Sequence, residues 1–165
     1  MPFLTDTLAD LFAPPQTMNM ASASMRLVLA SVLGALIGWE REAHARAAGL
    51  RTHMLISLAA AMFTLIAMEL THFPAEDSQS LRIDPLRLIE AVTAGVAFLA
   101  AGSIIISGGN VRGITTGASM WLAGAIGLAC GSGDGMLAVT GTALALIILW
   151  AIRQLIHSRD TPDDT

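Results

Sequence analysis

A chain of 165 residues that is 54% hydrophobic and only 13% charged departs from soluble globular domains, in which about a quarter of residues are charged. With a mean hydropathy of +0.65 it reads as a membrane protein. A net charge of −4, with the acids gathered in loops and at both ends, excludes a nucleic-acid binder, and the single Cys130 excludes an intrachain disulfide.

Met1 to Asn19 carries Asp6 and Asp10 where a secretory signal would have a basic start, so it is expected to be retained. Phe3, Leu4, Leu8, Leu11 and Phe12 recur at helical spacing and suit an amphipathic surface helix ended by Pro14-Pro15; a disordered tail is the alternative. The first span runs from about Met20 to Trp39, long enough at 1.5 Å per residue to cross a core of roughly 30 Å. Arg26 near its outer end can snorkel to the headgroups.

The apolar run then stops at Glu40-Arg41-Glu42, and the next opens only after Arg46, Gly49, Arg51, Thr52 and His53. This charged piece is expected to be a short polar loop with fraying helix ends, a hinge at a membrane face. The second span covers about Arg51 to Glu69, and Thr71 to Leu81 is a polar loop by composition. Asp84-Pro85 reads as a helix start, with Asp as N-cap and Pro at the first helical position. The third span is expected to reach Ser107, followed by a tight turn at Gly108-Gly109-Asn110. A fourth span, Ile114 to Ala129, and a fifth, Met136 to Ile152, flank a glycine-rich turn, and a polar tail follows.

The expected fold is therefore an all-α membrane protein, a compact bundle of about five transmembrane helices. Residues 1–19 form an amphipathic or disordered segment, 20–152 the transmembrane domain and 153–165 a disordered tail. Small residues mark where helices approach closely: Gly34 and Gly38 in the first span, and Gly113, Gly117, Gly124 and Gly127 at the fourth. Arg41, Arg46, Arg51, Arg112, Arg153 and Arg159 lie on one side of such a bundle, against Arg26, Arg82 and Arg87 on the other. The positive-inside rule then puts the hinge and the C-terminus in the cytoplasm and the N-terminus outside.

Glu40 and His44, four apart, share a helix face, which suits either a bound cation or a solvated charge pair. Arg41, Arg46 and Arg51 suit anionic headgroups or a partner's carboxylates, or act simply as topology determinants. Gly49 permits a helix-starting turn, with Thr52 as a cap. All nine basic residues are arginine, through selection for bidentate anion contacts or through a GC-rich genome. No span carries a charge at its centre, since Glu69, Arg87 and Glu90 lie near ends, and this argues against an ion-coupled pump. Without a nucleophile arrangement or a phosphate-binding loop, the chain reads as a non-enzyme without cofactor or metal, and Cys130 as a packing residue.

Three stretches carry a resemblance. Gly34-x-x-x-Gly38-x-Glu40-Arg41-Glu42 with Arg46-x-x-Gly49-Leu50-Arg51-Thr52-His53, then Asp84-Pro85-Leu86-Arg87 and Phe98 to Gly102, then Val111-Arg112-Gly113-Ile114-Thr115-Thr116 through Trp121, stand in one order and spacing over about Arg26 to Trp150. Together they resemble the signature of the MgtC/SapB family of bacterial inner-membrane proteins, from which Ala97, Ala100 and Gly117 depart in residue type. The resemblance marks Asp84, Arg87, Arg112, Thr115 and Thr116 beside the hinge as motif positions. It also implies a soluble domain after the last helix in longer relatives, for which a sequence ending at Thr165 leaves no room.

Function follows from that resemblance. It implies a regulatory protein of the bacterial inner membrane, active in adaptation to low magnesium, acid stress and, in pathogens, survival in host cells. It further implies action by binding the membrane sector of the F-type ATP synthase and lowering its activity. The expected partners are thus the lipid bilayer, the ATP synthase and, in a homodimer, a second copy. The rival reading is a transporter or channel for Mg2+ or another ion, and a lipid-contacting scaffold is a third.

Overall fold

The computed structural model describes residues 18–71, 84–107 and 110–157. The expected N-terminal surface helix, most of the loop after the second span, the Gly108-Gly109 turn and the last residues of the tail lie outside them.

Asn19 starts the first helix by accepting the Ala21 amide on its side chain at 3.0 Å, and α1 runs over Met20–Ala43. It continues a full turn beyond Trp39, so Glu40, Arg41 and Glu42 are helical and the connecting loop is only His44 to Gly49. Ala45, at φ 51°, turns the chain there. The second helix, α2, spans Leu50–Leu70. Asp84 accepts the Leu86 amide at 2.9 Å and Pro85 occupies the first turn of α3, Pro85–Gly102, as the sequence pattern implies.

The third helix does not reach Ser107. The Ser103 and Ile104 amides close α3 on the Ala100 and Ala101 carbonyls, and Ile105–Ser107 leaves as a strand, β1. It pairs antiparallel with β2, Asn110–Arg112, placing Ile105 opposite Arg112 and Ile106 opposite Val111. Three consecutive β-branched isoleucines after Gly102-Ser103 favour this extended path over further helix. Asn110 accordingly belongs to a strand. The chain then enters α4, Ile114–Ser132, and α5, Gly135–His157. The last helix runs past Ile152 and takes Arg153 with it, because Arg153 bonds Glu40 of α1.

Five helices pack as a bundle, and glycines set its spacing. A Cβ on Gly34 would stand 2.7 Å from the His53 carbonyl oxygen, and one on Gly38 would stand 2.6 Å from the Leu50 Cα, so α1 lies backbone to backbone against α2. From α4, a Cβ on Gly127 would meet the Ser57 carbonyl oxygen of α2 at 2.2 Å. A Cβ on Gly117 of α4 would stand 3.3 Å from the Ala100 carbonyl oxygen of α3, and one on Gly124 would stand 3.1 Å from the Val96 side chain. The helices α1, α2 and α4 therefore pack mutually, with α3 mainly against α4 and α5 against α1 and α4.

Two apolar clusters fill the interior. Leu33, Ile37, Ile126 and Cys130 belong to one, Ile56, Val92, Val96 and Met120 to the other. Cys130 is buried, a packing residue in position. Val28, Val32, Leu36 and Trp39 form an exposed apolar stripe along α1, with Phe63 on α2 and Phe98 on α3 similarly exposed, a surface suited to lipid.

Among the described residues three helices are long and apolar enough to cross a membrane: Met20–Ala43, Leu50–Leu70 and Ile114–Ser132. The apolar part of α5, Gly135–Ala151, falls short of that length, and the hairpin has taken residues from α3.

Candidate functional site

The end of the bundle that holds the α1–α2 loop collects the charge. The last turn of α1, the first turn of α2, the hairpin with the start of α4, and the last turns of α5 meet there. Among the described residues, five arginines, Arg41, Arg46, Arg51, Arg112 and Arg153, stand against two carboxylates, Glu40 and Glu42.

The carboxylates serve the scaffold. Glu42 accepts the Leu50 amide at 2.7 Å and so caps α2, the task the sequence pattern gave to Thr52. Thr52 instead lies inside the first turn, while Gly49 admits Glu42 because any side chain there would strike its carboxylate at 2.7 Å. Glu40 bonds Arg153 and lies 3.5 Å from His44 Nδ1. The Glu40–His44 pair thus belongs to an ionic cluster with α5, and among the described residues no group of three or more His, Cys, Asp or Glu could hold a metal ion.

Arg41 and His53 are the unexpected members, because both are inside. Arg41 is 5% exposed and donates from Nη2 to Thr116 Oγ1 at 2.8 Å. His53 is 0% exposed. Its Nδ1 faces the Gly49 carbonyl oxygen at 2.8 Å, and because a carbonyl only accepts, the proton sits on Nδ1. Nε2 meets Ser119 Oγ at 3.0 Å, and that hydroxyl also lies 2.9 Å from the Thr116 carbonyl. A continuous polar seam, Arg41–Thr116–Ser119–His53, therefore ties α1, α4 and α2 together at the charged end.

The helix phase explains this burial. Gly34, Gly38 and Arg41 stand at i, i+4 and i+7, so Arg41 shares the face that packs on the neighbouring helices, whereas Glu42 lies exposed at its edge, over the start of α2. His53, Ser57, Ala60 and Thr64 keep the same rhythm on α2. Ser119 and Arg153 also belong to the cluster; the sequence pattern counted Arg153 only toward sidedness and held Ser119 only within the Val111 to Trp121 stretch, one turn beyond Thr116.

The remaining motif residues divide in two. Arg46, Arg51, Arg112 and Thr115 are exposed at the charged end. Gly113 has φ 91°, and a Cβ there would lie 2.1 Å from the Ser103 carbonyl oxygen, so only glycine passes from β2 into α4. Asp84 and Arg87 are exposed at the start of α3, the opposite end of the bundle, and do not join the site. At that far end Arg26 donates to the Gly131 carbonyl at 2.8 Å, and Gly133, at φ 99°, closes α4 beside it.

The sequence pattern of the MgtC family matches residues 27–158. YhiD of Escherichia coli (strain K12), described as a candidate magnesium transporter, is 37% identical over 134 residues, 79% of this chain and 60% of that protein. An uncharacterized protein of Synechocystis sp. is 37% identical over 131 residues, 79% of this chain and 52% of the other. The protein MgtC of Salmonella typhimurium (strain LT2) is 39% identical over 122 residues, 74% of this chain and 48% of MgtC. The chain thus spans between about half and three fifths of the length of these relatives. No solved structure matches.

Proposed function

The chain belongs to the MgtC family, and from that premise we propose that it is a regulator that acts by contact with another membrane protein through its charged end. It is a multi-pass protein of the bacterial inner membrane and not an enzyme. The partner in this reading is the membrane sector of the F-type ATP synthase, and the setting is magnesium limitation, acid stress or survival in a host. In this reading α3 and α5 cross the bilayer beside the three longer apolar helices, with the N-terminus outside and the charged end in the cytoplasm, as the excess of arginine there supports.

The observation that carries the proposal is the surface of that end. Arg46, Arg51 and Arg112 are exposed around it, and no described carboxylate forms an ion pair with them, since Glu40 is engaged by Arg153 and Glu42 by α2. Such a surface suits carboxylates of a partner. Gly95 and Gly102 of α3 meet no neighbour, which suits close approach of another helix, from the partner or from a second copy in a homodimer.

A transporter or channel for Mg2+ is the second reading, favoured by the description of the E. coli relative. One experiment separates the two. ATP-driven proton pumping is measured in inverted vesicles containing the ATP synthase, with and without this protein, beside Mg2+ flux into liposomes holding this protein alone. A regulator lowers pumping and moves no ion. The triple variant Arg46→Ala, Arg51→Ala, Arg112→Ala restores pumping while keeping its fold, because exposed substitutions cost within about 0.5 kcal/mol each. Mg2+ flux from the purified protein, with pumping unaffected, puts the transporter first.

A further inference from the structure

We propose that Arg41 and the open first turn of α4 form a binding site for a phosphate-type oxyanion at the charged end of the bundle. This goes beyond the contact reading and stands whether or not the protein acts on a partner.

Arg41 carries the argument. Its side chain is more than nine-tenths buried, and its guanidinium is aimed at the start of α4, with Nη2 on the Thr116 hydroxyl in the helix's first turn. Nε is buried and has no hydrogen-bond partner among the described residues. Its sequence neighbour Glu40 attracts it from a distance but bonds Arg153 and lies 3.5 Å from His44, so no described carboxylate forms an ion pair with the guanidinium. A buried cation is costly unless an anion or several acceptors balance it.

The α4 terminus supplies the second, independent feature. Gly113 is the N-cap and has no side chain to accept an amide; the Ser103 carbonyl forbids any other residue there, so this helix cannot be capped from its own N-cap. The first backbone bond of the helix is Gly117 N–H to the Gly113 carbonyl at 2.9 Å. A helix N-terminus presents about half a positive charge and outward amides. The fold therefore sets a buried guanidinium against the positive end of a helix dipole. Two like potentials facing one another are unfavourable, and an oxyanion bridging the guanidinium and the first-turn amides reverses the sign of the interaction. Phosphate fits best, because it offers several acceptor oxygens to a planar fork and to amides at once.

The first turn of α4 lies at the protein surface. Arg112, Ile114 and Thr115 are exposed beside Gly113, and Arg112 adds a further positive charge at the entrance. At a membrane face the phosphate is either inorganic phosphate or the phosphodiester of an anionic lipid headgroup.

The test uses the full chain in a neutral maltoside detergent free of phosphate. Binding of radiolabelled inorganic phosphate is measured by equilibrium dialysis, and in a parallel arm the thermal midpoint is compared in nanodiscs of phosphatidylcholine alone and with phosphatidylglycerol. Arg41→Met keeps the length of the side chain and removes the charge, Thr116→Val removes the hydroxyl that holds the guanidinium, and Arg87→Gln at the far end is the charge-matched control. Saturable binding of inorganic phosphate that is lost in Arg41→Met identifies a free-phosphate site. A rise in midpoint confined to phosphatidylglycerol discs, and lost in Arg41→Met, identifies a headgroup site. In either arm Thr116→Val weakens binding by about tenfold or more and Arg87→Gln leaves it unchanged. The proposal is overturned if neither anion binds, or if Arg41→Met binds as well as the wild type. Should Arg41→Met not fold, unchanged affinity in Thr116→Val overturns it equally.

Discussion

Gly127→Ala is expected to destabilise the bundle by about 3 kcal/mol, while the same substitution at Gly95 leaves stability unchanged or raises it by up to about 1 kcal/mol. The chemistry of the change is identical and only the surroundings differ. At Gly127 the new methyl would sit 2.2 Å from the Ser57 carbonyl oxygen and 2.8 Å from the Ala60 Cβ, so α2 and α4 must separate. A backbone oxygen cannot turn aside as a flexible side chain would. At Gly95 there is nothing within 4 Å, and alanine gains helix propensity. Unfolding of the detergent-purified protein, followed by circular dichroism, reads both. Equal effects at the two sites would remove the close-packing account of the bundle.

A second large effect is expected at His53. His53→Ala should cost about 3 kcal/mol, because it opens a cavity and removes the imidazole's two hydrogen bonds, to the Gly49 carbonyl and to the Ser119 hydroxyl, at once. Ser119→Ala should cost only about 1 kcal/mol, since it removes a single partner of the imidazole. The double variant separates shared from independent contributions: if the two residues act through their mutual hydrogen bond, it is no worse than His53→Ala alone. A strictly additive result would show that the polar seam is not one unit.

Much of this architecture is written in simple periodicities. Apolar runs locate α1, α2 and α4, Asp84-Pro85 marks the start of α3, and small residues spaced by three or four give the packed faces. The failures have physical causes. Ile104 to Ile106 is apolar, and an apolar run alone does not distinguish helix from strand; the β-branched character and the preceding Gly102-Ser103 decide for strand. The charged end was legible as a cluster but not in its internal division. Glu40, Arg41 and Glu42 look alike in a list of charges, yet extending the phase of Gly34 and Gly38 by one further turn points to Arg41 alone as the inward residue. His53 likewise closes the hinge motif in the sequence and opens the packed face of α2 in the fold. Arg153 carries no such signal, because its place depends on how α5 returns along α1, a tertiary fact.

The contact reading requires that the charged end face the cytoplasm, and sidedness tests this most directly. In a Cys130→Ala background, Ala47→Cys reports the α1–α2 loop and Ser132→Cys reports the opposite end, both at exposed positions. A membrane-impermeant maleimide should label the Ser132→Cys variant in spheroplasts and the Ala47→Cys variant only in inverted vesicles. Labelling of Ala47→Cys from the outside, or of both variants from one side, would contradict the account.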